Sequence, residues 1–190
     1  MIDFERLKSL KPGEIVDKYD FNTNRDYVVL ENNYGTIYNN MILITKCSFG
    51  NISFLDFDER ADPIWANDFS KSRLRRYIND PENVIDIKRI YEDFGNHIIE
   101  HESDLLSLDG FDTYGKCKSL ISCMSLDDYR KYRRYIYDKA GSSYWLTTPR
   151  TTNESDDFNY YVLVVGYNGD VFDVEPDDKF GVRPLIEIKF

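Results

Sequence analysis

Histidine and cysteine, which carry much of metal and nucleophile chemistry, are scarce in this chain: two histidines and three cysteines in 190 residues. His97 and His101 stand four apart around Ile98-Ile99-Glu100. On a helix that spacing could place both imidazoles on one metal, but the order is not the zinc-protease arrangement, and the stretch reads equally well as a strand. Surface or turn histidines and no metal are expected. Cys47, Cys117 and Cys123 form an odd set, whereas exported small domains usually pair their cysteines. A reducing, cytoplasmic compartment of a bacterial cell is the expectation, with buried and inert thiols. No G-x-x-x-x-G-K-[ST], G-x-G-x-x-G or G-x-S-x-G segment occurs, so phosphate cradles and hydrolase elbows have no foothold. The reading is of a non-enzyme without cofactor.

Long apolar runs are also missing. Nothing approaches the ~20 residues of a membrane helix, and Met1-Ile2-Asp3-Phe4-Glu5-Arg6-Leu7 has acids where a signal peptide needs bases. Positive charge is the minority: 24 basic against 34 acidic residues leave a net charge of −10. A protein that grips duplex phosphates needs a basic footprint, so direct nucleic-acid binding and anionic membranes are not expected. A basic protein partner is compatible.

What the chain does have is aromatic residues, 15 Tyr and 12 Phe among them, and recurrent apolar segments of one domain's length, taken as residues 1–190. Residues 26–31 and 41–46 are β-branched runs around turn chemistry at Asn32-Asn33-Tyr34-Gly35 and Asn39-Asn40, which predicts an antiparallel pair. Leu74, Tyr77 and Ile78 predict a short helix capped by Ser70. Residues 83–94 predict a second, with Val84, Ile87, Tyr91 and Phe94 buried and Gly95 at its exit. The clearest helix begins at Ser125, where Ser125-Leu126-Asp127-Asp128 resembles a capping box. Its buried stripe would be Leu126, Tyr129, Tyr132 or Arg133, and Ile136. The arginines and lysines of these helices are expected to pair with surplus carboxylates.

Beyond the helix, Tyr144-Trp145-Leu146 reads as a short strand. Residues 160–165 and 171–174 flank Tyr167-Asn168-Gly169-Asp170, a hairpin signal because both central residues tolerate positive φ. Residues 185–190 read as a final strand. Strands, then helices, then strands indicate an α+β fold built on an antiparallel sheet with two or three helices.

Several fragments in order carry a resemblance: Gly13-Glu14-Ile15-Val16, Tyr27-Val28-Val29-Leu30-Glu31, Trp65 with Ser72-Arg73-Leu74-Arg75-Arg76-Tyr77-Ile78-Asn79, and Asp104-Leu105-Leu106-Ser107-Leu108-Asp109-Gly110 with Tyr114-Gly115. Ser125 to Arg133, Tyr144-Trp145-Leu146-Thr147-Thr148-Pro149 and Gly181-Val182-Arg183-Pro184 complete the set. Together they resemble an uncharacterised domain family of Firmicutes (Clostridia-type bacteria) and their phages. Its marks are W…S-x-[LI]-R…L-N, W-L-x-[ST]-P and a terminal G-V-R-P. Ile78 stands where that family usually has Leu, and Thr147 where it often has Arg or Cys. The family in turn looks like the C-type-lectin-like fold of formylglycine-generating-enzyme-like domains and phage tropism determinants. The formylglycine enzymes use a late cysteine pair; no cysteine follows Cys123, so that activity is not implied.

The motif residues also have a structural reading. Trp65 and Trp145 bring large apolar area and an N–H that wants a buried acceptor. Gly181 allows a tight backbone entry, Arg183 can pair with a buried carboxylate or carbonyl, Arg75 can clamp similarly, and Pro184 fixes the chain before the last strand.

The resemblance implies a protein-recognition module presenting loops, here within 150–159 and 170–179. The expected partner-binding residues are Asp156, Asp157, Asp170, Asp173, Glu175, Asp177 and Asp178. The alternative is a phage-encoded inhibitor of a host defence nuclease (anti-CRISPR-like), imitating nucleic acid with this acidic surface. An enzyme with unrecognised carboxylate chemistry is the third reading.

Overall fold

The computed structural model describes residues 2–16, 26–56, 66–82, 84–136, 140–153, 157 and 159–190. Trp65, Asn83 and Asp156, named above, lie outside the described residues. The first half of the chain holds helix α1 (Phe4–Leu7), strands β1 (Ile15–Val16), β2 (Tyr27–Asn32), β3 (Asn40–Thr45) and β4 (Phe49–Ser53), and helices α2 (Arg73–Ile78) and α3 (Ile85–Phe94). Short strands β5 (Ile98–Ile99), β6 (His101–Asp104), β7 (Lys116–Ser119) and β8 (Ile121–Ser122) lead to helix α4 (Leu126–Ile136). Strands β9 (Tyr144–Pro149), β10 (Val162–Val165), β11 (Val171–Val174), β12 (Lys179–Val182) and β13 (Leu185–Lys189) close the chain.

One sheet runs β1-β2-β3-β13-β5, with β8 also on β13; a second runs β11-β10-β9-β12-β4; β6 and β7 form a separate pair. Every pairing is antiparallel except β12 with β9, which meet in parallel at Gly181 and Tyr144. The fold is therefore α+β with mostly antiparallel sheets. Among the described residues four short helices replace the expected two or three, because the four-residue α1 is held by Asp3, whose carboxylate accepts from the Glu5 and Arg6 amides. No apolar periodicity marks so short a turn.

Two apolar cores lie on opposite faces of the sheets. Along β2, Tyr27 and Val29 point into one core and Val28 and Leu30 into the other; along β10, Val162 and Val164 oppose Leu163 and Val165. Leu74 and Ile78 of α2 and Ile87, Ile90 and Phe94 of α3 cover the first core, and Leu126, Tyr129, Tyr132 and Ile136 of α4 cover the second. Strands buried on both faces lose polar alternation, which is why Tyr27–Leu30 and Val162–Val165 read as unbroken apolar runs.

The α4 start is the capping box that its sequence resembles: the Ser125 amide donates to Asp128 at 3.0 Å and the Asp128 amide to Ser125 Oγ at 3.1 Å. For α2 the expectation shifts by two residues. Ser72, and not Ser70, is the cap, its hydroxyl accepting from the Arg75 amide at 3.0 Å, while Ser70 sits in a 3-10 turn at Phe69–Lys71. In α3 the stripe includes Ile90, and Tyr91 is half-buried. Strand β9 is twice the expected length and runs to Pro149. Tyr160 and Tyr161 precede β10 and do not belong to it.

Between the sheets the chain crosses over in the four residues Gly181–Pro184. A Cβ on Gly181 would lie 2.9 Å from the Ser143 carbonyl and 3.0 Å from Ser48 Cβ, so close backbone approach requires glycine there. Arg183 is fully buried and, among the described residues, meets no carboxylate. Its guanidinium donates to the carbonyls of Thr45 (2.9 Å), Lys46 (2.9 Å) and Ile136 (3.2 Å). Those acceptors are the exits of β3 and α4, where carbonyls lack ladder partners and the helix presents negative partial charge. Burial pulls the guanidinium below its ordinary pKa, and the bonded Tyr144 opposes that shift.

Candidate functional site

The β10–β11 hairpin is built from two apolar runs in unbroken register, Val162↔Val174 to Val165↔Val171. Its turn differs from the one expected. Asn168 keeps a negative φ and Gly169 alone takes +84°, with Gly169 N bonded to Gly166 O (2.9 Å) and Gly166 N to Asp170 O (2.7 Å). Such a turn places the left-handed residue where a one-residue bulge begins, so only the glycine needs positive φ. Tyr129 of α4 donates its hydroxyl to Gly169 O at 2.7 Å and receives Arg133 Nε at 3.2 Å, tying the turn to the helix.

Among the described residues strand β11 ends its sheet, and it is more exposed than its partner. Val171 and Phe172 are 38% and 39% exposed, and Tyr167 at the tip is 79% exposed, whereas all of β10 is buried. Cross-strand partners share a face. Phe172 and Val174 therefore lie with Val164 and Val162 on the first-core side, where Phe172 ends an aromatic row through Phe180 and Trp145 to Phe54. Val171 and Asp173 lie on the α4 side, and Asp173 meets Arg150 at 2.7 Å.

The anticipated acidic residues are distributed along this edge instead of gathered. Asp170 is exposed in the turn, within reach of the Asn168 amide at 2.5 Å. Glu175, Asp177 and Asp178 sit at the opposite end of β11 in a turn closed by Asp178 N to Glu175 O (3.2 Å) and fixed by Leu55 N to Pro176 O (3.0 Å). The two ends are about 16 Å apart at the rise of a strand. Asp157 is exposed in the neighbouring loop. The acids thus frame an apolar centre and do not converge. Their field reaches Tyr161, whose hydroxyl is pushed up to about 12 by its hydrogen bond with Tyr160, by burial, and by Glu175 and Asp173.

That loop has an anchor the sequence did not announce. Asn67 is fully buried and donates to the carbonyls of Thr151 (3.0 Å), Asn159 (2.7 Å) and Tyr161 (3.1 Å), while its own oxygen accepts from the Tyr114 hydroxyl at 2.6 Å. Burial, with Asp68 nearby, raises the Tyr114 pKa above its usual range. One carboxamide therefore sets where residues 150–161 leave β9 and enter β10.

The remaining chemistry-bearing residues make contacts within the fold. His97 is exposed and donates to Lys189 O at 2.9 Å; His101 is buried, not a surface residue, and donates to Glu187 at 3.0 Å. Cys117 and Cys123 are buried, and burial pushes the Cys123 thiol up to about 12. Trp145 donates to Ile52 O at 2.7 Å. Arg75 clamps α2 to the Lys118 carbonyl at 3.0 Å, and Asn79 clips the same helix to the Ile121 amide and carbonyl. Among the described residues no group of three or more His, Cys, Asp or Glu is placed to hold a metal. A cleft of about 130 Å³ lies between residues 104–110 and the first turn of α4, over Thr148. Pockets for drug-sized ligands are roughly 300–1,000 Å³, so this cleft is smaller than such a pocket.

Among the described residues no helix is long and apolar enough to cross a membrane. Comparison with known proteins finds no matching family model, no matching curated protein and no matching solved structure.

Proposed function

We propose that the protein is a non-enzymatic recognition module whose β10–β11 edge meets a partner protein carrying basic residues. The observation that carries this reading is the composition of the edge: exposed Val171 and Phe172 between Asp170 at one end and Asp178 at the other, with exposed Tyr167 at the hairpin tip. Protein interfaces have this anatomy, an apolar and aromatic centre inside a charged rim. A net charge of −10 favours a basic partner and speeds its approach. The C-type-lectin-like scaffold and the phage association belong to the same proposal. The placement of Trp145 on β9, the strand that Gly181 joins in parallel, supports the scaffold part.

The second reading, an inhibitor that imitates nucleic acid before a defence nuclease, is favoured by the exposed carboxylates at both ends of the edge. Salt separates the two. Mimicry of a phosphate chain gives binding that falls steeply between low and high salt, whereas an apolar centre holds its partner through that range. The test is capture from a Clostridia-type lysate by the full chain and by its Phe172→Arg variant at two salt concentrations. The reading expects a partner retained by the native chain at high salt and lost by the variant. Equal capture by both chains contradicts it.

A further inference from the structure

From the two ends of the second sheet we infer that β11 receives an extended, basic segment of the partner as an additional antiparallel strand. This inference rests on the recognition reading above and specifies its mode. Unpaired strand edges template pairing with other chains, and proteins ordinarily blunt them with bulges, helices, proline or lysine. At the far end of this sheet β4 is blunted. Its pairing with β12 breaks register between Phe180 and Val182, Gly50 takes a φ of +65°, and α2 covers it through Arg73 to Ser53 Oγ (3.0 Å). Strand β11 has four pairs in perfect sequence, no proline, no lysine and no bulge.

The hydrogen-bond phase of the edge follows from the turn. Gly166 N to Asp170 O is a bonded position, so by the alternation of antiparallel ladders Phe172 also faces β10 with both backbone groups. The N–H and C=O of Val171 and Asp173 therefore point away from β10. An incoming strand would bond to these two residues. Its side chains on the α4 face would stand opposite Val171 and Asp173, and those on the other face opposite Phe172 and Val174. A segment alternating lysine or arginine with β-branched residues satisfies both faces: cations reach Asp173 and the acids at the two ends, and apolar residues cover Phe172. A second copy of this chain offers no cation to Asp173, because the symmetric pairing that uses the outward groups of Val171 and Asp173 sets those two residues against each other and Phe172 against itself. Both copies also carry a net charge of −10.

The probe is a ten-residue synthetic peptide alternating valine and lysine, added to the full-length chain while backbone amide exchange is followed. Two controls are a valine–glutamate peptide and a valine–lysine peptide with alternate residues replaced by proline. At peptide 100 times its Kd, exchange at Val171 and Asp173 should slow by about 100-fold, with neither control peptide doing so. The Val171→Lys variant, which places a guarding cation on an exposed position, should lose the effect while melting as the native chain does. Exchange at Val171 and Asp173 unchanged by the lysine peptide, or slowed as much by the proline peptide, overturns strand addition. Edge-to-edge dimers of the chain in sedimentation would overturn it in favour of self-pairing. Failure here leaves partner capture by the native chain and its loss in Phe172→Arg untouched, so the mode and the recognition reading fail separately.

Discussion

The crossover at Gly181–Pro184 and the edge at Val171–Val174 solve opposite problems a few residues apart in one chain. At the crossover, strands and a helix end inside the protein, so their carbonyls have no ladder and no water. The chain commits a fully buried arginine to three of them and a glycine to the tightest approach. At the edge, backbone groups of equal polarity face outward, and among the described residues no side chain caps the strand. Among the described residues the buried carbonyls at the crossover are satisfied while a regular strand stays open, and the proposed contact uses that edge.

The contrast can be broken first at its interior end. Arg183→Met removes the donor from three buried carbonyls and should cost about 3–5 kcal/mol in urea denaturation, with Arg183→Lys recovering only part. Asn67→Ala strips three loop carbonyls and the Tyr114 hydroxyl of their partner. It should cost about 2–3 kcal/mol and speed amide exchange across residues 150–161. Gly181→Ala forces a methyl against the Ser143 carbonyl and should cost about 2 kcal/mol by the same measurement.

A pH experiment sharpens the comparison on the first sheet. Glu187 is held below its ordinary value of 4.5 by the hydrogen bond from His101, opposed by burial and helped by Asn40 at 2.5 Å. A carboxyl with a depressed folded pKa contributes stability that is complete above its unfolded value and lost as pH falls through the folded one. Native stability should therefore fall as pH drops below about 4.5, and Glu187→Gln should flatten that acid limb. The smallest effect belongs to the edge. Val171→Lys should change stability by less than about 0.5 kcal/mol, since the side chain already faces solvent, while partner capture is lost.

How much of this was legible depends on how local each feature is. The Ser125 box, the stripe of α4 and the strands β2, β3, β10, β11 and β13 are written within a few residues of themselves. The Ser72 cap was misplaced by two positions because Asp68 builds a 3-10 turn upstream that uses Ser70 differently. Strands β4 and β12 carry no alternating pattern, and their mutual pairing breaks register. Asn67 could not be singled out, for its partners lie 47 to 94 residues away. The acids illustrate the same limit at the site. Nearness in sequence promised one patch, but strand rise and alternation send Asp170, Asp173 and Glu175 to different places. That β11 is an edge at all is decided by the order of five strands, which no window of sequence contains.

Amide exchange on the unliganded full-length chain tests the open edge most directly. Slow exchange at Val164 and Phe172 beside fast exchange at Val171 and Asp173 is what an uncovered strand gives. Protection of all four amides alike would mean that another segment of the chain already occupies the place reserved here for a partner.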